Sequence, residues 1–89
     1  MLPIICCRVE MFADKQIISL YERGEETKLD EVSFELAGAM IAQYCHNYET
    51  NKIHLYGQED YIESLIDDIR TTDMFMYRND AKIFDIEVN

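Results

Sequence analysis

Lys52-Ile53-His54-Leu55-Tyr56-Gly57-Gln58-Glu59-Asp60 reads as a short strand that closes at a glycine and leads at once into a helix. Beyond it Tyr61, Ile62, Leu65, Ile66 and Ile69 form an apolar stripe at helical spacing, while Glu63, Asp67 and Asp68 face away. Glu59 and Asp60 open this helix, where negative charge is favoured by the dipole. Upstream, Asp30 is placed to cap a first helix with Glu31 in its first turn. Phe34, Ala37, Ile41 and Tyr44 then follow a 3-4-3 spacing, flanked by Val32, Leu36 and Met40. Gly38, Ala39 and Ala42 leave a flat strip on that helix for close approach of another element. His46-Asn47-Tyr48 marks its end, and Thr50-Asn51 turns the chain into the strand at Lys52.

Further out the pattern changes from helical to strand-like. Between Ile4 and Phe12, Ile5, Cys7, Val9 and Met11 share one parity while Arg8 and Glu10 occupy the other, as in a strand with one buried face. Ala13-Asp14-Lys15 breaks the run, and Gln16 to Glu22 resumes strand composition, so an antiparallel hairpin is expected. Arg23 to Asp30 reads as a charged loop and Thr71 to Asp80 as a loop of mixed character. Lys82 to Val88 alternates Phe84, Ile86 and Val88 with Asp85 and Glu87, a terminal strand. The expectation is a single α/β (α+β) domain over residues 1–89: order ββαβαβ, with a four-stranded mixed sheet and two helices. Its second, third and fourth strands would run parallel and its first antiparallel to them. A two-layer arrangement would leave one sheet face open.

Composition agrees with one folded unit. Eighty-nine residues close one core, and 48 % apolar content with three Gly and one Pro is not the composition of a disordered segment. No apolar run approaches the about 20 residues of a membrane span, and Met1 to Cys7 has neither a basic region before it nor a small-residue cleavage site after it. Cys6 and Cys7 are neighbours pointing to opposite faces of a strand, and with Cys45 they make an odd count. Free thiols in a reducing, cytoplasmic setting are therefore expected.

The chemistry-bearing residues favour recognition over catalysis. Gly57 stands where an α/β fold receives a phosphate, yet Gln58, Glu59 and Asp60 follow it, and the two carboxylates would repel an anion. This strand-Gly-helix-strand half resembles the corresponding part of ribonuclease H-like and actin-like domains. Such nucleases need acidic residues on the first strand, where this chain has Arg8 and Glu10, so nothing catalytic carries over. Cys45-His46, His54 and the Cys6-Cys7 pair lack metal-ligand spacing. Ser19, Ser33 and Ser64 sit in no nucleophile elbow. The expectation is a non-enzyme without cofactor or metal.

Eighteen Asp plus Glu against eight Lys plus Arg give a net charge of −10, which opposes direct contact with nucleic acid or anionic membranes. Glu59, Asp60, Glu63, Asp67 and Asp68 follow one another without an intervening cation. The plain reading is a solvated face; the functional one is a surface steered toward a basic partner. Nucleic-acid-binding proteins present the natural complement. In size and charge the chain resembles small acidic phage-encoded inhibitors of the anti-CRISPR type, several of which act as nucleic-acid mimics. On that reading Glu59, Asp60, Glu63, Asp67 and Asp68 carry the contact, with Tyr56 and Tyr77 as aromatic anchors. The alternative is a homo-oligomeric structural or accessory subunit, a homodimer in its simplest form, that buries its open sheet face. Met74-Phe75-Met76-Tyr77, four bulky residues in an expected loop, either folds over the core or inserts into something else.

Overall fold

The computed structural model describes residues 5–12, 14–22, 24–57 and 60–89. Its elements are β1 (Cys6–Met11), β2 (Gln16–Glu22), β3 (Glu25–Val32), α1 (Phe34–Asn47), β4 (Lys52–Gly57), α2 (Ile62–Met76) and β5 (Asp85–Val88). They form an α+β domain with one mixed sheet of five strands in the order β3-β2-β1-β4-β5.

The sheet differs from the expected one by a strand, and that strand reverses the parallel set. Glu25 to Asp30 was expected to be loop and Glu31 and Val32 the start of the first helix; the whole stretch pairs antiparallel with β2, from Glu22 opposite Glu25 to Gln16 opposite Val32. Gly24, at a φ of +81°, lies in the connection, where a side chain would be strained. Asp30 is therefore a strand residue and caps nothing; Ser33 stands at the start of α1 and makes no side-chain cap bond. With the extra hairpin, β1 is antiparallel to β2 and parallel to β4, and β5 is parallel to β4. The antiparallel strand is thus β2, and the order is βββαβαβ. β3 hid from pattern reading because it is an edge: six of its eight residues are Glu, Thr, Lys or Asp, and it shows no apolar alternation. Charge on an edge strand blocks pairing with another chain.

Both helices pack on one face of this sheet. Cys7, Val9 and Met11 of β1, Ile18 of β2 and Ile53 and Leu55 of β4 meet Ala37, Ile41 and Cys45 of α1 and Leu65 and Ile69 of α2 in a single core. A fully buried Ile or Leu among them contributes about 1.5–3 kcal/mol. The Cys7 and Cys45 thiols hydrogen-bond to each other, and that bond together with burial pushes Cys7 well above the usual thiol range. All three cysteines are free.

α2 begins at Ile62, after a turn at Asp60 and Tyr61, and continues through the expected loop to Met76. The terminal strand is correspondingly short, beginning at Asp85 and not at Lys82. The small-residue strip of α1 meets α2 at Asp68: a Cβ on Gly38 would lie 2.9 Å from the Asp68 Cβ and 3.1 Å from its carbonyl carbon. Gly57 has a similar role between β4 and β1, since its Cβ would lie 2.5 Å from the Met11 carbonyl oxygen.

Gly38→Ala is therefore expected to destabilise the fold by about 1–3 kcal/mol, the usual cost of overpacking. Leu36→Ala, at a site 59 % exposed on the same helix, should stay within about 0.5 kcal/mol. Urea denaturation of both variants measures the contrast.

Candidate functional site

The outer face of α2 follows from its inner one. Leu65, Ile69 and Asp73, four residues apart, are buried and Ile66 packs beside them, so Asp67, Asp68, Arg70 and Thr71 project outward. Glu63, Asp67, Arg70 and Met74 share one outward row, and Asp68 and Phe75 share the next; all six are exposed. Met74 is 66 % and Phe75 75 % exposed, the latter the more accessible of the two large side chains. The row from Glu63 to Met74 is about 16 Å long. Arg70 is the cation within the helix, and between Leu29 and Ile69 the sequence holds no Lys or Arg except Lys52. Acidic and bulky apolar groups therefore share one solvent-facing surface.

Of the residues expected to make contact, Glu63, Asp67 and Asp68 lie on this face. Asp60 is exposed in the turn just before α2, and Glu59 lies outside the described residues. Asp68 faces solvent with its side chain while its backbone packs against Gly38. Tyr77 ends α2 and stacks on the His46 ring, with centroids 3.5 Å apart and planes inclined by 11°. His46 Nε2 lies 2.6 Å from Asp73 Oδ1, and Asp73 Oδ2 accepts a hydrogen bond from the Lys82 backbone N–H at 2.7 Å. Asp73 is 1 % exposed, so this carboxylate is satisfied inside the protein and locks the ends of both helices to the approach of β5. Beyond its place near the α1 terminus, His46 is the half-buried partner of a buried carboxylate.

Tyr56 lies on the other side of the molecule. Its strand neighbours Ile53 and Leu55 enter the core, which turns His54 and Tyr56 to the uncovered sheet face. There the Arg8 guanidinium sits 4.8 Å from the Tyr56 ring centroid and 5.1 Å from that of Tyr21. Its Nη1 donates to Glu26 Oε2 at 3.3 Å, and the Tyr56 hydroxyl donates to Glu26 Oε1 at 3.4 Å. Burial, then the Glu26 charge, raises the Tyr56 phenol above its ordinary value. Burial likewise raises the Cys6 thiol, with Arg8 opposing, so no reactive thiolate is prepared there. Tyr56 and the α2 carboxylates thus cannot share one flat contact.

At the β3 edge Lys15 Nζ lies 2.9 Å and Lys28 Nζ 3.2 Å from the Glu31 carboxylate. Hydrogen bonds from Lys15 and then Lys28 lower the Glu31 carboxyl below its ordinary range. Among the described residues no three His, Cys, Asp or Glu side chains converge as a metal-holding group. Among the same residues no helix is long and apolar enough to cross a membrane. No protein-family model matches the chain, and no curated protein matches it either.

Two outcomes follow from this geometry. His46→Ala leaves the Asp73 carboxylate buried without its ring partner and is expected to cost about 3 kcal/mol, read from the urea midpoint. Glu31, with its lowered value in the fold, stabilises above the unfolded carboxyl's pKa of about 4.3, and that contribution is lost as pH falls through the lower folded value. A Glu31→Gln variant should accordingly show a shallower loss of stability on acidification than the native chain.

Proposed function

We propose that this chain is a small acidic protein-binding module that occupies a basic, nucleic-acid-binding surface of another protein, as an inhibitor of the nucleic-acid-mimic type. The observation that carries the reading is the outer face of α2, where Glu63, Asp67 and Asp68 lead along the helix, past Arg70, to exposed Met74 and Phe75. A merely solvated face has no use for two large apolar side chains at the end of an acidic row. Together they make a surface that steers by charge and anchors by burial. Phage-encoded anti-defence proteins are the class this reading belongs to, and the cytoplasm is the compartment in which such a partner would be met.

The contact on α2 uses Glu63, Asp67 and Asp68 with Phe75 as anchor, while exposed Asp60 adds charge in the turn before the helix. Tyr77 supports the surface from inside through His46. Tyr56 belongs to the opposite face and would meet only a partner that wraps around the sheet edge.

The test is capture from a host lysate at low and high salt, beside a Glu63→Lys/Asp67→Lys variant and a Phe75→Ala variant. A captured nucleic-acid-binding protein that is displaced by duplex DNA, lost with the charge reversals and bound about tenfold more weakly by Phe75→Ala is the expected result. Equal capture by all three chains, or recovery of the chain's own copies alone, contradicts the reading and favours a self-associating subunit.

A further inference from the structure

The sheet ends in two edges that differ. β3 carries Lys28, which with Lys15 holds Glu31, and its register shifts opposite Ile18 and Ser19. A lysine on the strand and an irregular register are devices by which an edge avoids a further strand. β5 has neither: it pairs regularly with β4, from Lys52 opposite Asp85 to Leu55 opposite Val88. The Asp85 N–H donates to the Asn51 carbonyl at 2.8 Å and the Asn89 N–H to the Leu55 carbonyl at 2.9 Å. Backbone groups alternate between the two sides of a strand, so those of Ile86 and Val88 turn away from β4. Among the described residues no strand lies beyond β5 to receive them. The chain entering this edge is already fixed, because the Lys82 N–H donates to Asp73 and the Ile83 carbonyl accepts from Asn51 Nδ2 at 3.0 Å. Such order lowers the entropy cost of binding.

We propose that β5 takes up an extended, basic segment of a partner protein as a sixth strand, with Lys or Arg side chains beside Asp85 and Glu87 and apolar ones beside Ile86 and Val88. The side chains choose this occupant. Asp85 and Glu87 are exposed and border a depression with His54 on the uncovered sheet face, and among the described residues neither forms an ion pair. Ile86 packs against the core on the other face, and Val88 follows it in parity, 43 % exposed. Ile83, 90 % exposed at the entry to the strand, adds apolar surface. A strand laid along this edge meets acidic neighbours on one face and apolar ones on the other, which Lys or Arg alternating with Val or Ile complements. A second copy fits poorly. Antiparallel pairing of two β5 strands sets Asp85 and Glu87 against the same carboxylates, and like charges directly opposite are destabilising. The residues that attract a basic strand therefore reject self-pairing. This contact needs nothing from α2 and stands apart from the reading of that helix.

The probe is an acetylated and amidated Lys-Val-Lys-Val-Lys peptide. Glu-Val-Glu-Val-Glu is the charge control, and Lys-Pro-Lys-Pro-Lys has equal charge but cannot continue a ladder. The readout is hydrogen exchange at the Ile86 and Val88 amides, followed by nitrogen-15 NMR on the full chain. Lys-Val-Lys-Val-Lys is expected to slow exchange at both amides about tenfold at saturation, while the two controls leave it unchanged. Asp85→Lys/Glu87→Lys, a change at two exposed positions, should transfer the response to Glu-Val-Glu-Val-Glu, and Glu63→Lys/Asp67→Lys should leave it as in the native chain. The proposal is overturned by unchanged exchange at Ile86 and Val88, by equal protection from either control peptide, or by a response that stays with the basic peptide in Asp85→Lys/Glu87→Lys. Loss of the response in Glu63→Lys/Asp67→Lys, or protection that grows with chain concentration without peptide, as a second copy would give, also overturns it.

Discussion

The structure depends on the two-sidedness of β1. This strand lies at the centre of the sheet, hydrogen-bonded to β2 on one side and β4 on the other, and its side chains alternate without exception. Cys7, Val9 and Met11 enter the core, while Cys6, Arg8 and Glu10 do not. Because β1 places its apolar residues on one face only, α1 and α2 must both cover that face. The helices then pack against each other, which requires the close passage of Gly38 by Asp68, and the opposite face stays open with Arg8 at its middle.

That division separates two kinds of surface. The helical layer is anionic and ends in exposed Met74 and Phe75; the sheet face holds Arg8 between two tyrosine rings, with Glu26 as its carboxylate partner. A surface with exposed carboxylates and accessible apolar groups suits recognition of a basic protein. The buried Asp73 belongs to neither: its two oxygens are taken by His46 and Lys82, which fastens the C-terminal end of α2 and so sets the direction in which Phe75 projects.

Much of this was legible in the sequence because burial leaves a period. β1, β4 and the apolar stripe of α2 are amphipathic, β2 was readable from its strand composition alone, and the strip at Gly38 marked a close approach before the partner element was known. β3 left no period, since an edge strand rich in Glu buries little on either face, and missing it reversed the expected strand directions. The end of α2 was lost for a related reason. Met74, Phe75 and Met76 are apolar but exposed, so they break the helical pattern that Leu65 and Ile69 establish and read as a loop. The tyrosines were recognisable as interface-type residues, but their side of the sheet depends on register, which composition does not carry. The pairing of His46 with Asp73 spans both helices and had no local signal.

The central claim is that the outer face of α2 meets a basic, nucleic-acid-binding partner. Photo-crosslinking tests it most directly, with benzoylphenylalanine placed at Phe75 and, as separate controls, at Leu36 on α1 and Tyr21 on the sheet face. The account predicts an adduct from position 75 to a nucleic-acid-binding protein, abolished by Glu63→Lys/Asp67→Lys, and none to that protein from positions 36 or 21. An adduct from position 75 only to a second copy of this chain, or partner adducts only from position 21, would contradict it.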